Sequence, residues 1–283
     1  EASWLEGTSE HFGKLSSSLQ MKVLDGLART NSPDLREFVQ AALASDDPKV
    51  QEKARTYAAQ AGVPMLDLLL DILEKKGSAG QGKAIKQLAE DKDPRARKKF
   101  ASLVEQYRNG KADPRWKLEL WQAAQTRGIK LPETPDRLEH GGDAERGKQL
   151  VTNHAAAQCI RCHKLGKEGG NPSPELTIGP ELNRIGSQRD RRHLVASLLT
   201  PSSDISDGYG TVVLKTKEGE EVSGIPSRKT DLFWTITLAN GKKRNLRPDE
   251  ISSHILASAM PPMGALLKPE EIRDMVEFLA SLK

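Results

Sequence analysis

The chain has 283 residues, of which 36% are hydrophobic and 29% charged, so it can bury the core of one large domain or two ordinary ones. Lysine and arginine number 43 and aspartate and glutamate 39, and the resulting net charge of +4 is too balanced to indicate nucleic-acid binding. Two cysteines are too few for a disulfide-stapled scaffold or an all-cysteine metal site. The longest apolar runs are too short to cross a bilayer, so we expect no transmembrane segment.

Residues 1–130 show helical periodicity and almost no strand signal. Helix caps followed by proline precede several amphipathic runs, at Asp47-Pro48, Asp93-Pro94, Asp113-Pro114 and, as a variant, Ser32-Pro33. Three glycines stand where C-terminal caps are expected, namely Gly62, Gly110 and Gly128. The stretch from Asp46 to Arg55 resembles HEAT-type repeats. We therefore predict a HEAT-like helical repeat domain over residues 1–130, with an irregular helical bundle as the alternative.

The second half of the chain has a different pattern. Residues 131–142 contain two prolines and a Gly-Gly pair, which predicts a linker. Residues 143–283 then form the second predicted domain, which is helical except for a small antiparallel β insert at about 210–247. Alternation and a hairpin turn at Asn240-Gly241 predict strands at 211–216, 221–225 and 233–238, with a last strand ending at Leu246. An amphipathic helix over residues 268–282 closes the domain.

The sequence Cys159-Ile160-Arg161-Cys162-His163 has the C-x-x-C-H pattern by which c-type haem is attached. Cysteines three residues apart project from the same side of a helix, so each thiol can form a thioether to one vinyl group of the same porphyrin. His163 points to that side as well, and its imidazole can reach the iron as an axial ligand. The pattern predicts haem c as the cofactor, attached covalently through Cys159 and Cys162.

Three other interpretations compete for the same residues. A thioredoxin-like pair needs a βαβ setting, and residues 155–158 do not resemble a strand. A zinc site needs four ligands, and although His154 and His163 could complete the set, the adjacent Cys162 and His163 would point away from a single tetrahedral ion. A structural disulfide leaves the adjacent histidine without a role.

A haem that carries electrons usually has a second axial ligand. Met260, followed by Pro261 shortly before the closing helix, is predicted to be this ligand, since a thioether favours ferrous iron. Met263 is the alternative, with packing at the haem edge as its other possible role. Three histidines are weaker candidates, for which exposed or capping roles are favoured: His154, His193 and His254.

Further motifs surround the haem pattern. They are Gly142-Asp143-Ala144, His154 with Gln158, Gly179-Pro180-Glu181-Leu182, Ile185-Gly186, Gly208-Tyr209 and Ser258-Ala259-Met260-Pro261. Together they resemble the haem-binding domain of planctomycete and verrucomicrobial (PVC-group) cytochrome c proteins, over about half of the chain. The resemblance implies a mainly α fold, in which a class I cytochrome c domain with a small antiparallel β insertion follows helical repeats.

The resemblance also implies roles for single residues. Pro180 packs on the proximal side, where a neighbouring backbone carbonyl accepts the ring N–H of His163. Arg184 is a predicted partner of the haem propionates, as are Arg191 and Arg192, with a solvated basic surface as the alternative. Two aromatic residues could pack on the haem edge, although packing elsewhere is favoured for both: Tyr209 and Trp234. The loop before Gly179 is longer than the family pattern.

These patterns predict a c-type cytochrome that transfers single electrons and accepts them from a partner or fused dehydrogenase. The expected redox partner protein is a dehydrogenase or another cytochrome. The alternatives are a haem enzyme of the peroxidase type, with His154 or His254 as acid–base group, and a haem-stapled protein-binding module. His163 and Met260 are 97 residues apart, and the β insert between them is predicted to be a docking surface or a lid. Haem attachment predicts a periplasmic or otherwise exported protein, so the missing signal segment indicates a processed or truncated terminus.

Overall fold

A computed structural model of the protein describes residues 9–74, 80–169, 179–206 and 208–283. Within these residues the fold is mixed and helix-rich, about 52% helical, with one five-stranded antiparallel sheet. None of the described helices could span a bilayer, since each is too short or too polar for the hydrocarbon core. The chain divides into two compact units, Glu1–Glu133 and Thr134–Lys283.

Eight helices make up the described part of the first unit. They are α1 (Ser9–Phe12), α2 (Ser17–Arg29), α3 (Leu35–Leu43), α4 (Pro48–Gln60), α5 (Met65–Glu74), α6 (Gln81–Glu90), α7 (Pro94–Arg108) and α8 (Lys117–Thr126). Their apolar faces fill two hydrophobic clusters, one containing the edge-to-face pair Phe12 and Phe38 and the other containing Phe100 and Trp116. The absence of strands from this described region agrees with the helical prediction.

The predicted Asp-Pro caps are confirmed. Each aspartate accepts the backbone N–H two residues later at 2.7 to 2.9 Å, with Asp47 on α4, Asp93 on α7 and Asp113 on the 3₁₀ turn before α8. Three glycines with φ between 65 and 69° follow the same helices: Gly62, Gly110 and Gly128. The Ser32-Pro33 pair is the exception, because α3 begins only at Leu35, after a turn closed by the Ser32 carbonyl.

The segment predicted as a linker, residues 131–142, is folded: its first residues pack in the first unit and its later residues in the second. Leu131 is buried in the second cluster of the first unit, and the Tyr107 hydroxyl donates to the Pro132 carbonyl at 3.0 Å. Residues Pro135–Leu138 form a 3₁₀ turn of the second unit in which Leu138 is buried. The division between the units falls inside the segment, but the described chain on either side of it is folded.

The second unit contains four α-helices among its described residues, α9 (Ala144–Asn153), α10 (Ile185–Gln188), α11 (Arg191–Leu199) and α12 (Pro269–Ser281). Short 3₁₀ turns lie at Cys159–Arg161, Pro248–Glu250 and Met263–Ala265. A two-stranded ribbon of β1 (Lys164–Leu165) and β2 (Glu168–Gly169) follows the first of these turns. This ribbon was not predicted, because strands of two residues are too short to show alternation.

Helices α9 and α12 cross at Gly147. A Cβ at this position would lie 2.0 Å from the Asp274 carbonyl oxygen and 2.9 Å from Phe278 Cβ, so the crossing requires glycine. The buried Asp274 carboxylate accepts the backbone N–H of Asp143 at 2.7 Å and Arg146 Nε at 2.9 Å. Close backbone contact and the hydrogen bonds of the buried Asp274 carboxylate together fix the two helices in one register.

The five-stranded sheet has the order β6-β5-β4-β3-β7. Its strands are β3 (Thr211–Thr216), β4 (Glu221–Lys229), β5 (Trp234–Thr237), β6 (Lys243–Leu246) and β7 (Ile251–Ala257). Val212 and Leu214 alternate with exposed residues on β3, as predicted, and they pack with Ile236 in one cluster. The rings of Trp234 and His254 lie 4.8 Å apart although β5 and β7 are not neighbours, so the sheet is curled.

The β insert ends later than the predicted position, residue 247. Its fifth strand, β7, extends to Ala257 and pairs along β3. Three polar residues in the middle of β7 hide the alternation, because this strand lies at the edge of the sheet with most of its side chains exposed: Ser252, Ser253 and His254.

Substitution of Gly147 tests the helix crossing. Gly147→Ala places a Cβ against the α12 backbone and should lower the free energy of unfolding of the second unit by about 2 kcal/mol. Urea denaturation followed by circular dichroism measures this loss. Gly26→Ala is the matched control, since a Cβ there meets nothing within 4 Å in the middle of α2 and should leave stability unchanged or slightly higher. Wild-type stability of Gly147→Ala would contradict the crossing.

Candidate functional site

A cavity in the second unit brings together most of the predicted site residues. Its empty space, including the mouth that opens to solvent, measures about 1370 Å³. The walls include apolar side chains from α9, α11 and α12, among them Val151, Leu194 and Leu279. Of the predicted residues, the following line it: Cys159, Cys162, His163, Pro180, Met260 and Met263. A large, mostly apolar ligand that stays partly in contact with solvent fits such a cavity.

The two cysteines lie on a single helical turn at the cavity wall. Residues Cys159–Arg161 form a 3₁₀ turn that starts after Gln158, whose backbone has the left-handed conformation. The Cys159 carbonyl accepts the backbone N–H of Cys162 at 3.2 Å and that of His163 at 2.9 Å. The turn combines a 3₁₀-type and an α-type hydrogen bond, and both cysteines and the histidine line the same cavity. Burial raises the pKa of the Cys159 thiol, so it stays protonated near neutral pH.

The His163 ring is held by a hydrogen bond and by close packing. Its Nδ1 lies 2.8 Å from the Pro180 carbonyl oxygen, and because a carbonyl can only accept, Nδ1 carries the proton and Nε2 keeps a free lone pair. The carbonyl implied by the family resemblance is therefore that of Pro180 itself. Burial lowers the pKa of His163 and favours the neutral ring that a metal requires. A Cβ on Gly179 would lie 2.6 to 3.0 Å from the ring atoms, so the ring packs directly on the backbone.

The segment after Gly179 connects the cysteine turn to α12. The Leu182 backbone N–H donates to the Lys164 carbonyl at 2.9 Å, and the Leu182 side chain is buried. Gly186 N–H donates to the Leu282 carbonyl at 2.8 Å, and a Cβ on Gly186 would lie 2.4 Å from the Ala280 carbonyl oxygen. Both ends of the Gly-Pro-x-Leu motif are therefore fixed by packing, Gly179 against the His163 ring and Leu182 in the interior.

The two methionines of the lining occupy different environments. Met260 is half-buried and lies three residues after the end of β7. Met263 is 3% exposed and begins a 3₁₀ turn, where its carbonyl accepts the backbone N–H groups of Leu266 and Leu267 at 2.9 Å. Met263 is therefore packed into the cavity wall, whereas Met260 is the more exposed of the two.

The three arginines predicted as propionate partners are not among the described residues that line the cavity. Arg184 is exposed and is not among the described residues that line the cavity. Arg191 forms a two-pronged ion pair with Glu277, at 2.6 and 2.7 Å, and joins α11 to α12. Arg192 is exposed, with Nε 3.8 Å from a Glu139 oxygen.

Two polar residues that the sequence analysis did not assign to the propionates line the cavity instead. They are Arg189, just before α11, and His193, one turn further on, whose Nδ1 lies 3.6 Å from Asp204 Oδ2. Arg189 belongs to the same basic run as Arg191, and only the direction of α11 decides which of them reaches the cavity. Which of these arginines lines the cavity therefore depends on tertiary packing.

The remaining aromatic and histidine candidates divide between the cavity and the sheet. Tyr209 lines the cavity. His154 caps a turn, where its Nδ1 accepts the backbone N–H of Ala156 at 3.3 Å and that of Ala157 at 3.1 Å. The rings of Trp234 and His254 pack on each other in the sheet, and neither is among the described residues of the lining.

The competing interpretations of the cysteine motif find little support. Both cysteines are free, which is against the structural disulfide. Among the described residues, no group of three or more His, Cys, Asp or Glu side chains could hold a metal ion, which is against the zinc site. The cysteine turn follows α9 and a capped turn rather than a strand, which is against a thioredoxin-like βαβ unit.

Protonation of His163 should destabilise the polypeptide when no cofactor is attached. Burial lowers the pKa of His163 below its usual 6.5, so the imidazolium forms more readily in the unfolded chain than in the folded one. The stabilisation is fully present above pH 6.5 and declines below it, by at most about 1.4 kcal/mol per pH unit. Urea unfolding at about pH 7.5 and about pH 5.5 should show a smaller pH dependence for His163→Gln than for wild type. An equal dependence would contradict the burial effect.

Comparison with known proteins identifies no family for this chain. No protein-family model matches it, and no curated protein does. A functional assignment therefore depends on the side chains that meet in the cavity and on the motifs around them.

Proposed function

We propose that the chain is a c-type cytochrome that carries single electrons. Haem c would be attached through Cys159 and Cys162 and held axially by His163 and Met260. The hydrogen bond from His163 Nδ1 to the Pro180 carbonyl is the observation that carries the proposal, because it presents an unprotonated Nε2 beside two free thiols at the wall of one large cavity. Few other sites need two free thiols on one turn together with an oriented, neutral imidazole.

The residues present fit this group in chemistry as well as in position. Haem supplies one-electron chemistry at its iron. The cysteine turn would fix the macrocycle, while Leu194, Leu198 and Leu279 give the apolar surroundings that a flat hydrophobic ring needs. A neutral imidazole and a thioether are ligands that favour the reduced state of iron.

A carrier fits the lining better than a peroxidase. A peroxidase needs an open iron position and an acid–base group close to it. The ring nitrogen Nδ1 of His154 is occupied by two backbone N–H groups, and the His254 ring packs on Trp234. His163 and Met260 line the same cavity and would together hold the haem iron, which suits electron transfer without a bound substrate.

The cellular setting and the partner follow from the same proposal. Attachment of c-type haem takes place outside the cytoplasm, so we expect an exported, periplasmic protein whose redox partner is a dehydrogenase or another cytochrome. The helical first unit, with its capped helices in sequence, would be a HEAT-like docking or spacer element beside the haem-carrying unit. This layout corresponds to the PVC-group resemblance of residues 141–283.

Covalent attachment is tested by expression with a c-type haem attachment system. The wild-type protein should keep its haem after denaturation in acid and organic solvent, and no thiol should then react with an alkylating agent. Cys159→Ala/Cys162→Ala should lose at least tenfold of the haem retained, because no thioether can form. Cys159→Ala alone should keep one thioether. A wild-type chain with two reactive thiols and no retained haem would contradict the proposal.

The choice between the methionines is tested by two matched substitutions. Met260→Leu should abolish the methionine-to-iron charge-transfer band of the oxidised protein and lower its reduction potential, because a thioether ligand is lost. Met263→Leu removes a buried thioether of similar volume and should keep the band, with a stability loss of about 1 kcal/mol. Optical spectra and redox titration give both answers. The reverse pattern would assign the ligand to Met263.

A further inference from the structure

The segments that enter and leave the sheet both belong to the cavity wall. β3 begins at Thr211, directly after the lining residues Tyr209 and Gly210, while β7 ends at Ala257, shortly before Met260. Thr211 and Ala257 are paired partners in the β3–β7 ladder. The sheet is therefore joined to the cavity by two strands that pair with each other, one of which leads into the methionine segment.

Two serine side chains hold the backbone between β7 and Met260. Ser202 Oγ accepts the backbone N–H of Ser258 at 3.1 Å, and Ser258 Oγ accepts the backbone N–H of Met260, also at 3.1 Å. Ser202 follows the buried Pro201 after α11, so the first of these hydrogen bonds ties the methionine segment to the α11 side of the cavity. We call Ser202 and Ser258 the serine clasp.

The entering segment is fixed as tightly as the leaving one. Gly210 has a φ of 74°, and a Cβ on it would lie 3.0 Å from the Ala257 carbonyl oxygen and 3.0 Å from Ile205 Cγ2. The backbone N–H of Gly208 donates to the Pro226 carbonyl of β4 at 2.8 Å. The two segments therefore touch at the base of the sheet, and neither can shift without the other.

We propose that the serine clasp positions the methionine ligand. Ser202 and Ser258, supported by the β3–β7 ladder, hold Met260 toward the cavity and resist its displacement by outside ligands. This inference rests on the proposed function, since it requires a haem that Met260 ligates. Met260 is separated from His163 by 97 residues, so local hydrogen bonds, and not chain connectivity, decide how firmly it is held.

Titration of the oxidised haem protein with imidazole tests the clasp. Imidazole competes with the methionine, so its affinity should rise about fivefold in Ser258→Ala and in Ser202→Ala, the change expected for one lost hydrogen bond. The charge-transfer band should weaken in both variants. Ser258→Thr keeps the hydroxyl and should restore wild-type affinity. Ser253→Ala, at an exposed position of β7, is the matched control and should leave the affinity unchanged.

Hydrogen exchange of the Met260 amide provides a second readout. This amide should exchange faster in Ser258→Ala than in wild type, while amides of the α9–α12 crossing keep their protection. Wild-type imidazole affinity together with wild-type exchange in both alanine variants would overturn the clasp, with the methionine ligand of the wild type still standing. A wild-type spectrum without the methionine band overturns the proposed function and the clasp with it. The two failures are therefore distinguishable.

Discussion

The partly buried hydrogen bond between His163 and the Pro180 carbonyl is the interaction on which the site depends. A backbone carbonyl can only accept, so it assigns the ring proton to Nδ1 and leaves the lone pair on Nε2. Burial acts in the same direction by lowering the pKa of the ring and disfavouring the imidazolium. Gly179 closes one face of the imidazole at a distance that excludes any side chain. The histidine is thus prepared as a ligand before any cofactor is considered.

The position of that carbonyl is set by the scaffold of the second unit. Gly186 meets the backbone of α12, and the Leu182 N–H donates to the Lys164 carbonyl of β1, so the short segment between them has little freedom. Helix α12 is in turn fixed against α9 by the contact at Gly147 and by the buried Asp274 carboxylate. Glycines at two helix contacts therefore control the placement of a histidine that neither of them touches.

Sequence reasoning succeeds here where the signal is local. The Asp47 and Asp93 caps and the alternation along β3 depend on neighbouring residues, and they appear in the structure as predicted. The convergence of the cysteine turn with Met260 was inferred from motifs, and the cavity brings these residues together. The edge strand β7 and the entry of Arg189, just before α11, into the lining depend on packing between distant segments, which local patterns do not record.

In the sequence, the sheet lies between the two proposed ligands, His163 and Met260, and leaves both of them held in place. A flexible loop as long as the sheet segment would let its ends move apart, although the entropic cost of closing it is little higher than for a shorter loop. The first pair of the β3–β7 ladder instead holds Thr211 and Ala257 within about 5 Å, the spacing of paired strands, so the residues between them add little to the distance between the two ends. The exposed cross-strand pair Val213 and Ile255 lies on the outer surface of the same ladder. Substitutions there can change what the sheet contacts while the ladder continues to hold the methionine segment in place.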